Sequence, residues 1–204
     1  ASSPCSTTTS MCRVLCVTSR ALCREPFLTH MERIVAAGPA AVILREKDLE
    51  EADYTALARE VLALAGDRVP VILHSYPEAA MALGCKRLHL PLPLLRGLDP
   101  QLRSAFHVLG ASCHSVEDAK EAQALGCTYI TAGHVFETGC KPGLAPRGLD
   151  FLRAVTRAVS IPVWAIGGIA PENFTQVLDA GAAGGCVMSG LMTCADPKAF
   201  LARF

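Results

Sequence analysis

The residues best suited to chemistry in this chain fall into three groups. The first begins at Ile161-Pro-Val-Trp-Ala-Ile-Gly-Gly-Ile-Ala-Pro-Glu-Asn173, an apolar run that stops at paired glycines before Pro171 opens a helix. Gly167 and Gly168 have no Cβ, so a ligand can approach the backbone N–H groups there, and such groups are natural partners of a phosphate. Gly184-Gly-Cys-Val-Met-Ser-Gly190 repeats the pattern a few residues on and brings Met188 and Ser189 to its end. Two neighbouring strand ends would then share one anion. For either segment alone, tight strand-to-helix turns explain the glycines; the two together favour a phosphate site.

The second group is cationic. Ile43, Arg45 and Lys47 are spaced by two, which puts all three on one face of an extended segment. Two cations on an inward face require an anion, unless Arg45 pairs with Glu46 or Asp48 on a solvated turn. The third group is the loop Gly133-His-Val-Phe-Glu-Thr-Gly-Cys-Lys-Pro-Gly-Leu-Ala-Pro-Arg-Gly148, which is long, polar and glycine-rich. It offers a titratable imidazole, His134, with Thr138 and Lys141 suited to a flexible binding segment, so His134 is the candidate acid/base. Ser112 and His114 stand nearby. For His114, substrate binding and a place beside the helix cap Ser115 are equally good readings. His74 and Ser75 follow the third apolar run, His89 reads as an inward-facing strand residue with a satisfied hydrogen bond, and His30 and His107 read as structural. No spacing resembles a zinc site, and Glu46, Asp48 and Glu137 are too dispersed to cage magnesium, so no metal and no cofactor is expected.

The elements that must position these groups follow from periodicity. Short apolar runs recur about every 20–25 residues, the size of one βα unit: Val14–Val17, Val42–Leu44, Val69–Leu73, Leu88–Leu90, Val108–Gly110, Tyr129–Thr131, Val163–Ile166 and Gly185–Met188. Between them, Phe27, Met31, Ile34 and Val35 repeat at helical spacing, as do Tyr54, Leu57, Val61 and Leu62, then Leu149, Leu152, Val155 and Val159, then Phe174, Val177 and Leu178. Gly38, Gly66, Gly84, Gly126 and Gly181 follow such segments where left-handed caps are wanted. The fourth unit is irregular: Pro91, Pro93 and Pro100 leave only Gln101–Ala105 for a helix. Eight strands alternating with helices, with no G-x-G-x-x-G after an early strand, predict an α/β fold, a single (β/α)8 TIM barrel over 13–204. The residues after each strand would share one rim: Arg20, Arg45 with Lys47, His74, Ser112 with His114, the His134 loop, both glycine segments and Ser189.

Bulk properties narrow the partners. The chain has 204 residues, 51% of them apolar and 5% aromatic, a balance that suits helices packed on a buried parallel sheet better than a β-sandwich. The formal charge is zero and no basic block appears, so nucleic acid is excluded and any anion must be held by local groups. No apolar run approaches membrane-spanning length. The ten cysteines are scattered with no C-x-x-C pair, which points to reduced thiols in a cytoplasmic protein; a metal at Cys12 and Cys16 would lack further ligands. Residues 1–12 read as a disordered polar tail, and the first ten do not read as a signal peptide. The spacing leaves a homo-oligomer open.

Thr18-Ser-Arg20, Leu44-Arg-Glu-Lys47, Ser112-Cys-His-Ser115, the Gly133–Gly148 loop, Ala165-Ile-Gly-Gly-Ile169 and Val187-Met-Ser-Gly190 together resemble the thiamin phosphate synthase/TenI superfamily from Arg13 onward. The resemblance implies a (β/α)8 barrel of thiamin biosynthesis. Its synthase branch carries Gln-x-Arg-x-Lys for the substrate diphosphate and two Asp residues that hold magnesium, in Asn-Asp-Arg after strand 3 and Gly-Gln-x-Asp after strand 4. Here those positions are Ile43, His74-Ser-Tyr76 and Pro91-Leu-Pro-Leu94. The His134 loop resembles TenI-type thiazole tautomerases instead. That likeness implies a small-molecule thiazole phosphate substrate, His134 as the acid/base, and a phosphate held by Gly167, Gly168, Met188 and Ser189. Arg45, Lys47 or Lys141 would meet the substrate carboxylate on grounds of charge. The alternatives are thiamin phosphate synthase itself, or a non-catalytic barrel that binds thiazole or thiamin phosphate as a regulator.

Overall fold

The computed structural model describes residues 11–204. The first ten residues of the expected tail lie outside them. Eight parallel strands close into a barrel in sequence order, with β1 pairing to both β2 and β8. They are β1 (Val14–Val17), β2 (Ala41–Leu44), β3 (Val71–His74), β4 (Arg87–Pro91), β5 (Val108–Cys113), β6 (Tyr129–Gly133), β7 (Val163–Ile166) and β8 (Gly184–Val187). The helices are α1 (Phe27–Ala37), α2 (Glu51–Ala65), α3 (Pro77–Ala82), α4 (Leu92–Gly97), α5 (Pro100–Ser104), α6 (Val116–Ala124), α7 (Gly148–Ala158), α8 (Phe174–Asp179), α9 (Ser189–Thr193) and α10 (Pro197–Leu201). Among the described residues, no helix is long and apolar enough to cross a membrane.

The strands carry apolar residues on both faces because both faces are covered. Leu15, Val17, Ala41, Ile43, Ile72, Tyr129 and Cys186 fill the barrel interior, whereas Val14, Cys16, Val42 and Leu44 meet the helices. Tyr54 of α2 reaches through the outer layer: its hydroxyl donates to the Leu44 carbonyl at 2.6 Å and accepts the His74 N–H at 2.8 Å. It thereby ties the ends of β2 and β3 together. The five expected glycine caps all have positive φ.

The fourth unit departs from expectation. Two short helices, α4 and α5, stand where the prolines leave only Gln101–Ala105 for one. Pro93 and Pro100 occupy first-turn positions, where a helix has no N–H bond to lose, so these prolines open helices instead of breaking them. Asp99 caps α5 by accepting from the Gln101 and Leu102 amides.

At the C-terminal ends of the strands, the loops after β1 and β2 are clamped by one buried carboxylate. Glu46, 4% exposed, accepts the Thr18 hydroxyl at 2.7 Å, the Arg20 amide at 2.9 Å and the Arg20 guanidinium at 2.9 Å. Thr18 in turn accepts the Arg45 amide at 3.0 Å. This network fixes the direction in which the chain leaves β2. Glu46→Ala would strand three donors, and it should lower unfolding free energy in urea by about 2–4 kcal/mol; an unchanged midpoint would show that the clamp is dispensable.

Candidate active site

A cavity of about 660 Å³ opens at the C-terminal ends of the strands, and all eleven residues singled out from the sequence line it. Arg45 and Lys47 enter from β2, Ser112 and His114 from β5, His134, Thr138 and Lys141 from the β6 loop, and Gly167, Gly168, Met188 and Ser189 from the ends of β7 and β8.

His134 is 6% exposed. Its Nε2 lies 3.3 Å from the Leu144 carbonyl, which can only accept, so in the neutral ring Nε2 carries the proton and Nδ1 the lone pair. The backbone holds this geometry firmly: the His134 carbonyl accepts from Arg147 N at 3.0 Å, and the amides of Val135 and Phe136 donate to the carbonyls of Ile166 and Gly167 at 2.9 Å each. Arg147, which reads as one more cation in the loop, donates through Nε to the Gly133 carbonyl at 2.9 Å and packs over Phe151. The base of the loop is therefore docked on β7, and its exposed part is Glu137 and the stretch 139–147.

The glycine pair does more than admit a ligand. Gly167 has φ +102°, and a Cβ there would overlap His134, with Cα only 2.6 Å away; a Cβ on Gly168 would meet the Glu137 carbonyl at 2.5 Å. The missing side chains make room for the His134 loop. The neighbouring amides are nevertheless free: among the described residues, the N–H groups of Gly167, Gly168, Ser189 and Gly190 donate to no protein acceptor. The anticipated phosphate contacts remain available, while the reason for glycine is different.

The cations are also free, contrary to the alternative that Arg45 pairs with its neighbours. Arg20 takes Glu46 and also Asp48, the latter at 2.9 Å through Nη2 and 3.1 Å through Nη1. Arg20 is consequently a structural residue and not a rim ligand. Among the described residues, Arg45, Lys47 and Lys141 form no ion pair. Burial, then the charges of Arg45 and Lys141, hold the Lys47 ammonium below its ordinary range. β2 and β6 are four strands apart in the closed order, so Lys141 influences Lys47 only because the β6 loop arches across the mouth.

Ser112 and His114 are partly committed. Ser112 Oγ lies 2.9 Å from His89 Nε2, and His114 Nδ1 lies 3.1 Å from the Gly133 carbonyl. His114 also sits beside the cap, as one of its two readings had it: its N–H donates to Asp118, whose own amide donates to Ser115. Beneath them, His89 Nδ1 meets the Tyr129 hydroxyl at 2.7 Å. Gly110 stands between His89 and Tyr129 in the register, and a Cβ there would overlap the tyrosine ring. His74 stacks on His89 with centroids 5.3 Å apart and lines the cavity. It was placed at the rim from sequence but left out of the ligand-binding set; its period-two spacing from inward-facing Ile72 is the signal that marks it.

A magnesium site does not fit these residues. Among the described residues Asp118 is the one carboxylate lining the cavity, and one of its oxygens is bonded to the His114 amide. Ser75 and Leu94 occupy the positions of the synthase Asp pair, and Ser75 Oγ is bonded to His74 Nδ1 at 2.6 Å. Hard divalent cations require a richer oxygen set than this.

The thiamine monophosphate synthase family model matches residues 14–191. The chain belongs to that family. Similar sequences include thiamine-phosphate synthase of Roseiflexus sp., 35% identical over 91% of this chain and 80% of the relative, and that of Moorella thermoacetica, 34% identical over 88% and 87%. Thiamine phosphate pyrophosphorylase from Pyrococcus furiosus superposes with a TM-score of 0.81 at 25% identity, covering 95% of this chain and 93% of that one. Membership in this family of thiamine biosynthesis agrees with the closed barrel and with the position of the cavity.

Two outcomes test the site's architecture. Gly167→Ala forces a positive φ on alanine and pushes the His134 loop off β7; unfolding free energy should fall by more than about 2 kcal/mol, and a wild-type urea midpoint would refute the packing. Burial holds the imidazoles of His74 and His89 down to about 2 and about 3, with His89, Lys47 and Arg45 adding to the effect at His74, and Lys47 and Arg45 at His89. Above the unfolded value near 6.5 both states are neutral; as pH falls from there, only the unfolded chain takes up protons, so stability drops. A His74→Gln/His89→Gln double variant should lose up to about two protons of uptake on unfolding between pH 6 and 4, read from the pH dependence of urea unfolding; an unaltered slope would overturn the assignment.

Proposed function

We propose that this protein is a thiazole tautomerase of thiamine biosynthesis, which aromatises a thiazole phosphate carboxylate tautomer. The observation that carries this reading is the site's composition: one buried imidazole at the end of β6, free amides at β7 and β8, three unpaired cations, and no carboxylate set for a metal. In the reaction a base removes the proton from ring C2. The electron pair moves through the ring to the exocyclic carbon, which takes a proton, so no atom is lost and no oxidant or metal is consumed. His134 Nδ1 carries the lone pair for the first step, and the imidazolium formed returns a proton in the second. The phosphate lies against the amides of Gly167, Gly168 and Ser189, and the carboxylate meets Arg45, Lys47 or Lys141.

The names of the relatives favour a second reading, thiamine-phosphate synthase, in which a pyrimidine diphosphate is coupled to thiazole phosphate. Taken alone, the comparisons support this transferase reading better than the tautomerase. Against it stands the carboxylate set, which is too poor to hold magnesium on a departing diphosphate, although Arg45, Lys47 and Lys141 are free to meet an anion. The experiment is tautomer conversion followed by absorbance without added magnesium, beside the synthase assay with magnesium. The tautomerase reading expects metal-free turnover that falls about 10²- to 10⁴-fold in His134→Ala. Absence of conversion together with magnesium-dependent coupling would replace it by the synthase.

A further inference from the structure

The cavity floor holds a polar atom that the proton relocation does not use. His74 ends β3, is 4% exposed and lines the cavity. Its neighbour His89 has both ring nitrogens engaged, by Tyr129 and Ser112. His74 has one engaged, Nδ1 with Ser75 Oγ at 2.6 Å. Among the described residues no buried side-chain nitrogen or oxygen lacks a partner, so the unpaired Nε2 is not sealed into the protein. The open space that this ring lines is the cavity, and Nε2 therefore faces it. Burial, the stacked His89 and the charges of Lys47 and Arg45 keep the ring neutral.

We propose that His74 is a ring-binding residue, whose Nε2–H donates a hydrogen bond to the heteroatom edge of the substrate's planar five-membered ring. This rests on the tautomerase reading, because such a ring presents lone pairs and no N–H or O–H. The imidazole must then be the donor, which requires the Ser75 hydroxyl to donate into Nδ1; that hydroxyl has no other acceptor among the described residues. A neutral donor at this point orients the ring between the phosphate and carboxylate anchors without competing for either anion. It selects a ring with an acceptor at that edge over an isosteric ring carrying C–H there, since the unmet N–H would stay buried.

Calorimetric titration with the aromatic thiazole phosphate carboxylate, and separately with inorganic phosphate, tests this on wild type, His74→Leu, His74→Gln and Ser75→Ala. His74→Leu should weaken the thiazole ligand about tenfold and leave inorganic phosphate unchanged; His74→Gln, which keeps an N–H donor, should recover most of the loss. The 15N spectrum of wild type should show His74 protonated at Nε2 and shifted on adding the thiazole ligand, a readout that survives poor folding of the leucine variant. Equal thiazole affinity in His74→Leu, a parallel loss of phosphate affinity, or an unprotonated Nε2 would overturn the proposal. Failure of wild type to convert the tautomer, with the affinity difference intact, would instead remove only the tautomerase reading.

Discussion

His134 can occupy the end of β6 only because Gly167 leaves space on the end of β7. A Cβ at that point would overlap both the Cβ and the Cα of the histidine, and the glycine's φ of +102° is itself a conformation that side-chain-bearing residues avoid. Once this contact is made, the Val135 and Phe136 amides find carbonyls on β7, and the arch of the β6 loop follows from that anchorage. The buried place of His134 and the positive φ at Gly167 are thus two sides of one packing constraint.

Electrostatics at the mouth depends on a similar allocation. A carboxylate beside a lysine in the chain is its nearest source of neutralising charge, yet Arg20 engages Glu46 and Asp48 instead. Arg45, Lys47 and Lys141 are left lining one cavity, and burial first, then the charges of the other two, depress the Lys47 ammonium. Like charges held close by a rigid scaffold form a site waiting for an anion, and the repulsion is relieved when that anion arrives. The clamp at Glu46 consequently shapes the field as well as the chain.

The eight strands were legible in the sequence because each apolar run is bounded by Gly, Pro or polar residues, and β1 and β7 span the anticipated residues. The rim could be read from the same pattern, since a residue's place after a strand fixes its place in a barrel. What sequence could not supply is the direction of a missing side chain. Gly167 looks the same whether its open side meets a ligand or a neighbouring loop, and Gly110 gives no hint that Tyr129 leans over it to reach His89. Proline was misleading in the fourth unit because its cost depends on helix position, and positions 93 and 100 are the cheap ones. Arg20 and Arg45 have equal claims as sequence; only the fold decides which one Glu46 takes.

The replacement of a metal-binding pattern by His74, Ser75 and Leu94 is coherent with the rest of the mouth. Carboxylates at those positions would need a divalent cation to avoid repelling a doubly anionic substrate. Neutral imidazoles and a hydroxyl need none, and they leave the charge of Arg45, Lys47 and Lys141 uncompensated at that wall. A coupling reaction that expels diphosphate loses its main source of charge neutralisation in such a site. A proton relocation would lose nothing, because it only rearranges charge within a substrate and expels no anion. The absence of carboxylates at positions 75 and 94 would therefore bear unequally on the two chemistries, costing the coupling reaction more than the proton relocation.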